Sequence, residues 1–337
     1  MAYRIAVLRG TSAGADLARA AIRCLDALDV PFDWNEVEVD EVSTEAALPE
    51  DLIRTVRDAS VALKIPRMLS ADVLGREVDL RLCRALDLYA AVRPCRTLPG
   101  VKSRYRDIDL VVVRENTEDL YAGIELEKGS PETFELIRMI EKLGGGHIRY
   151  DSGVSVKPLS VGGCRRILTF AFEYARRHRR RKVTAVHKAN VMKHSDGLFL
   201  GIAREIALDY PDIAFDDRIV DRLCMQLVQH PERFDVLVMP NLYGDIVSEL
   251  CAGLVGGSTV APGANLGDDV ALFETDDVCE AADGCPTALV LTGALMLRHL
   301  GEDTAADRLE SAVSSVLAEE STGSFDPAEA ILARIRN

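Results

Sequence analysis

Three segments of this chain concentrate side chains that can move protons, grip carboxylates or hold a cation. The first, Val113–Glu125, reads VRENTEDLYAGIE. Arg114 carries the planar fork that grips a carboxylate through two parallel hydrogen bonds, and Tyr121 carries a phenol able to donate a proton. A solvated loop after an edge strand accounts for the segment equally well. The second, His187–Gly197, reads HKANVMKHSDG. A lysine held near a cation has a depressed pKa and can act as a base, which is the chemistry open to Lys188, with Asn190 beside it. A plain surface lysine also fits this segment taken alone. The third, Asn241–Glu249, reads NLYGDIVSE. Asp245 and Glu249 are four residues apart, so a helix sets both carboxylates on one face. Such a pair suits a hard, oxygen-seeking ion, Mg2+ or Mn2+, and Asp221 could complete the set. A solvated acidic face is the alternative.

The elements around these segments give them a common setting. Residues 3–8 (YRIAVL) read as a buried strand, and GADLARAAIRCLDAL after it has apolar residues at helical spacing. A second strand surrounds Phe32 to Val39. Residues 107–113 and 234–239 are short β-rich runs that end in polar residues. Runs of this kind alternating with helices predict an α/β fold with a substantially parallel sheet. In such sheets ligands sit just past the carboxyl ends of strands, where the first two chemical segments fall. RRILTFAFEYARRHRRRKVTAVHKAN reads as helix, basic helix end and strand. Its cationic end suits a helix C-terminus left in water, and no aromatic residues interleave with it to suggest nucleic acid.

Composition bounds the function. At 337 residues, and roughly 150 per domain, two domains are expected. The formal net charge of −14 argues against general nucleic-acid binding, which needs a surplus of Lys and Arg. No apolar run approaches the ~20 residues of a membrane span, and MAYRIAVLRG lacks a signal-peptide layout. The cytoplasm is therefore the expected compartment. Of the eight cysteines none forms CxxC, and most read as small buried hydrophobes in a reducing compartment. Cys279 and Cys285 could pair or react, although a loop thiol with no role is the plainer expectation.

Taken together the segments are far more specific. In order and spacing they resemble the β-decarboxylating dehydrogenases, the isocitrate/isopropylmalate dehydrogenase family, with the NAD-type isocitrate dehydrogenases nearest in look. LDLYAAVRP (86–94), MQLVQHPERFDVLVMPNLYGDIVSE (225–249) and GGSTVAPGANLGDDVALFE (256–274) belong to the same pattern, which runs almost end to end. The resemblance implies an isopropylmalate-dehydrogenase-like fold of two interleaved α/β domains. Residues 1–88 and 256–337 would form the large domain, 89–121 and 164–255 the small one, and 122–163 a clasp that joins two subunits. It implies that Arg93 and Arg114 bind the substrate's carboxylates, with Asn190 among the substrate contacts, and that Tyr121 protonates the carbon that loses CO2. Lys188 and Asp221 would come from the neighbouring subunit of a homodimer with shared active sites, Lys188 acting on the C2 hydroxyl proton. Asp221, Asp245 and Glu249 would hold Mg2+ or Mn2+; the family has Asp where this chain has Glu249.

Four departures shape the expected chemistry. The family's opening Gly-Asp-Gly-Ile-Gly-Pro turn is replaced by RGTSAGAD (9–16). Met68 and Leu69 stand where threonines abut the nicotinamide. The adenosine loop is shortened and acidic from Thr275 to Pro286, and acidic side chains repel a dinucleotide's phosphates; no GxGxxG elsewhere substitutes. Glu77, Asp79 and Cys83 replace the Ser, Asn and Arg of the substrate helix, and Arg84 lies one residue, ~100° of rotation, out of register. Glu77 would repel a third carboxylate, so isocitrate itself is not expected as substrate. The expectation is metal-dependent β-decarboxylation of a malate- or isocitrate-like 2-hydroxy or 2-oxo acid, redox-neutral with NAD(P) doubtful. Two alternatives are an NAD-dependent oxidative decarboxylase of a substrate other than isocitrate, and a non-catalytic regulatory subunit beside a paralogous partner.

Overall fold

The structure is a computed structural model that describes residues 2–9, 12–39, 48–65, 73–275, 286–319 and 326–336, without the side chains of 12–15 and 73–78. In chain order the elements are β1 (Tyr3–Arg9), α1 (Ser12–Asp26), β2 (Phe32–Glu38), α2 (Glu50–Ala59), β3 (Val61–Lys64), α3 (Val73–Ala85), β4 (Ala90–Arg96) and β5 (Asp109–Glu115). Then come β6 (Glu125–Leu126), α4 (Pro131–Lys142), β7 (Val154–Ser155), α5 (Val161–Arg177), β8 (Lys182–His187), α6 (Ser195–Ala207), β9 (Ala214–Ile219), α7 (Val220–Gln229), β10 (Val236–Met239) and α8 (Asn241–Val255). The chain closes with β11 (Pro262–Leu266), β12 (Ala271–Thr275), α9 (Pro286–His299), α10 (Asp303–Ala318) and α11 (Pro327–Arg336).

Ten strands form one sheet in the order β2-β1-β3-β12-β11-β4-β5-β10-β8-β9. Its two wings are parallel, as the alternation of short apolar runs with helices predicts. The centre is not: β11 runs antiparallel to both β12 and β4, and β4 antiparallel to β5. β4 and β11 therefore sit between two parallel wings. Continuous apolar runs fill most of the buried length of β3 (residues 61–63), β5 (residues 110–113) and β10 (Val236–Met239), as helices on both faces of the sheet require. The strands expected at 3–8, 32–39, 107–113 and 234–239 all form, each within about two residues of the expected ends.

The apolar core falls into three clusters. One gathers α1, α9, α10 and α11 against β1, β3 and β12, and includes Leu25, Phe273, Met296 and Leu309. A second surrounds Phe172, with Leu168, Phe199, Ile202 and Val236 from α5, α6 and β10. The third packs α2 and α3 beneath the sheet around Val56, Leu82 and Leu272. Within residues 122–160, β6 and β7 form a separate two-stranded antiparallel sheet. α4 there starts at a Ser130 cap whose hydroxyl accepts from Thr133 N, followed by Pro131, which starts helices well because its N–H needs no partner there. Among the described residues no helix is long and apolar enough to cross a membrane. The six described cysteines are free thiols, five of them buried. Cys279 and Cys285 lie outside the described residues.

Candidate active site

Arg114 is in β5, which runs antiparallel to β4 with Arg93 paired to Val112. Strand residues two apart share a face, so both arginines project from one face of the sheet. Arg114 lies across the start of α8: its Nε donates to Asn241 Oδ1 at 2.8 Å and its NH1 to Asp245 Oδ1 at 2.5 Å. Tyr121, in a short 3-10 helix just after β5, donates to the other oxygen, Asp245 Oδ2, at 2.5 Å. The guanidinium sits 4.8 Å from the Tyr121 ring centre. Asp245 thus receives a cation and a phenol, one on each oxygen. Glycine at 244 is what lets the arginine pass: a Cβ there would lie 2.5 Å from Arg114 Cβ and 2.6 Å from its Cγ.

Lys188 and Asp221 form a second group. β8 ends at His187, whose Nδ1 accepts from Ala189 N at 3.0 Å; that fixes the tautomer, so Nε2 donates to Asp217 Oδ2 at 3.2 Å. Burial alone would raise Asp217, but Arg204 and His187 hold its carboxyl below the usual range. The turn presents Lys188 outward, and its Nζ meets Asp221 Oδ1 at 2.7 Å. Asp221 opens α7 and is exposed; its bond to Lys188 lowers its pKa. Asn190 is exposed on the same turn.

Within one chain these two groups stay separate. Asp245 and Glu249 do share α8, one turn apart, yet among the described residues no three His, Cys, Asp or Glu side chains come together as a cation site. Glu249 is exposed.

Arg93 meets a different neighbourhood. Its NH2 is 3.3 Å from Glu274 Oε1. Lys64 Nζ lies 3.1 Å from Glu274 and 2.6 Å from Asp79 Oδ2, and Asn265 Nδ2 donates to Glu274 at 2.6 Å. Lys64 and Glu274 end adjacent parallel strands, β3 and β12. Burial opposes ionisation of Glu274, but Lys64 and Arg93 outweigh it and hold its carboxyl at about 2. Gly263 admits the Arg93 guanidinium, whose NH1 lies 1.6 Å from where a Cβ would stand. Cys83 is buried in the apolar cluster under α3, where burial pushes its thiol up to about 12. The side chain of Glu77 lies outside the described residues, as do Met68, Leu69 and all of 276–285; of the loop expected to meet a dinucleotide only its ends, Thr275 and Pro286, are described.

Sequence patterns alone did not reveal Lys157, Asp119 and Asp196, which form a buried ion cluster between the two groups. Asp119 and Asp196 fall inside the segments read for Tyr121 and Lys188. Lys157, in an unremarked SVKPLS stretch, offered no spacing signal.

Comparison with known proteins places these groups in context. Residues 4–329 match the family described as isocitrate/isopropylmalate dehydrogenase. The chain is 40% identical over 322 residues to the mitochondrial NAD isocitrate dehydrogenase catalytic subunit 6 of Arabidopsis thaliana, covering 92% of this chain and 80% of that one. It is 38% identical over 325 residues to the chloroplastic 3-isopropylmalate dehydrogenase of Solanum tuberosum, covering 94% and 85%. The crystal structure of isocitrate dehydrogenase from Methylococcus capsulatus superposes with a TM-score of 0.86 at 40% identity, over 99% of this chain and 100% of that one.

Proposed function

Since the chain belongs to the isocitrate/isopropylmalate dehydrogenase family, we propose that it removes the β-carboxylate of a small 2-oxo acid in a metal-dependent, redox-neutral reaction. The observation that carries the reading is the Arg114–Asp245–Tyr121 assembly: a carboxylate clamp, a metal-type ligand and a proton donor within direct contact of one another.

Arg93 and Arg114, on one sheet face, would bind the two carboxylates of the substrate. The C–C bond to the β-carboxylate breaks, CO2 leaves, and the electron pair moves onto the 2-oxo group as an enolate. Tyr121 then delivers its phenolic proton to the carbon, and a solvent proton, relayed by Lys188, restores it. The donors Asp245, Glu249 and Asp221 of the partner subunit are all oxygen ligands, which fits Mg2+ or Mn2+. Each Asp245 oxygen keeps a lone pair beyond the Arg114 and Tyr121 bonds. When bound, such an ion would supply Lewis-acid polarisation of the 2-oxo group.

The homodimer in this reading follows from the same elements. Val191, Met225, Val228 and Ile246 are 66%, 51%, 44% and 55% exposed. They lie on the Lys188 turn, α7 and α8, and a second subunit covering them would remove their apolar surface from water. Substrate size follows from charge. Lys64 and Arg93 are already paired with Asp79 and Glu274, which leaves little positive charge there for a third carboxylate, and a malate-like skeleton fits better than isocitrate.

The absence of a redox step rests on the acidic, shortened 275–286 segment and on Met68 and Leu69. A second reading, oxidative decarboxylation with NAD, is favoured by the names of the relatives. One assay separates them: CO2 release from oxaloacetate with Mn2+, with and without NAD+. Release without NAD+ above the rate with Mn2+ and no protein, lost on adding a chelator, supports the proposal. Release from malate alone, matched by NADH formation, overturns it. Absence of turnover by the purified chain, restored by a co-purifying paralogue, would favour the regulatory-subunit reading.

A further inference from the structure

We propose that Lys157 is a positioning residue that holds the two proton-handling groups, Tyr121 and Lys188, in register; the inference rests on the roles proposed for them above. Lys157 lies two residues beyond β7, a strand of the small separate sheet, and its side chain is only 13% exposed. Its Nζ lies 2.7 Å from Asp196 Oδ1 and 3.5 Å from Asp119 Oδ1, and both carboxylates are 0% exposed.

Each carboxylate uses its other oxygen on the backbone of the site. Asp196 Oδ2 accepts from Lys188 N at 2.7 Å. Asp119 Oδ2 accepts from Leu242 N at 3.0 Å, next to Asn241 at the start of the helix that carries Asp245, while Asp119 Oδ1 accepts from Leu120 N at 2.8 Å. Asp119 adopts φ +68°, a left-handed conformation uncommon outside glycine. Its own N–H donates to Pro158 O at 3.0 Å, immediately after Lys157. The Tyr243 ring, in α8, lies 5.3 Å from the ammonium and covers it.

One cation therefore sits between two buried carboxylates, and each carboxylate anchors a different segment of the site. Without the cation the two carboxylates carry uncompensated buried charge and repel each other, so both anchors loosen together. Because Lys188 is read as serving the partner's site, one ammonium steadies a group of its own site and a group lent across the subunit boundary. Simple packing of the segment around Lys157 would not predict this joint effect.

The test uses full-length Lys157→Gln and Lys157→Arg, with hydrogen exchange of backbone amides and steady-state kinetics. In Lys157→Gln, exchange at Lys188 and at Leu120 and Leu242 is expected to rise together, at least tenfold. The rate kcat should fall more than tenfold while KM changes less than threefold. Lys157→Arg, which keeps the charge, should recover most of both readouts, and if Lys157→Gln does not fold, Lys157→Arg shows the same joint change at smaller amplitude. Exchange that rises in one segment alone, or a raised KM at unchanged kcat, overturns the inference. The exchange readout needs no substrate, so an inactive wild type would sink the functional reading and leave this one standing or falling on its own.

Discussion

Asp245 is the residue on which the site turns, because Arg114 and Tyr121 each hold one of its oxygens. Tyr121→Phe keeps the ring beneath Arg114 and removes the hydroxyl, and with it the proton and the bond to Asp245. A positioned general acid contributes roughly 100- to 10,000-fold, so kcat should drop within that range with KM little changed, as a CO2-release assay would read. Gly244→Ala tests the clamp from the opposite side. A new Cβ 2.5 Å from Arg114 Cβ must displace that side chain. Thermal unfolding should show a loss of about 1–3 kcal/mol, and KM should rise because the guanidinium no longer meets the substrate. The residue types at Arg114, Tyr121, Lys188 and Asp245 were legible in the sequence because they cluster in short segments next to strands. Lys157 was not, since its partners come from Asp119 and Asp196, far away in the chain, and only folding unites them.

At the scale of elements, the Lys64–Glu274–Arg93 network ties β3, β12 and β4 at the antiparallel centre of the sheet. The parallel wings were predictable from alternating runs and helices. The reversed β4 and β11 were not, because an apolar strand carries no mark of its direction. The network gives the sheet a distinct acid response. Glu274 titrates at about 2 in the fold, against about 4.3 in an unfolded chain. A depressed carboxylate contributes stability above the unfolded value and loses it as pH falls toward the folded one. Urea midpoints measured from pH 5 to pH 2 should therefore fall more steeply in the wild type than in Glu274→Gln. That variant should also be less stable at pH 7, by about 3–5 kcal/mol, because Lys64 and Arg93 lose their shared partner. Equal pH slopes for the two proteins would remove Glu274 from the account.

At the scale of the molecule, one chain holds two separate groups, Arg114 and Tyr121 on Asp245, and Lys188 on Asp221, which the proposal reads as two half-sites. Ile246, 55% exposed beside Asp245, is expected to pack against the second subunit. Ile246→Asp should shift the protein to monomer by sedimentation and abolish turnover while leaving the fold intact. The domain division and the clasp at 122–163 belong to this same proposal. The measurement that bears most directly on it mixes two inactive chains, Tyr121→Phe and Lys188→Ala, refolded together. If each site draws Tyr121 from one chain and Lys188 from the other, a mixed dimer contains one intact site, and the mixture should regain about a quarter of wild-type turnover for random pairing. A mixture as inactive as its two components, with mixed dimers demonstrated by mass, would contradict a site built from two chains.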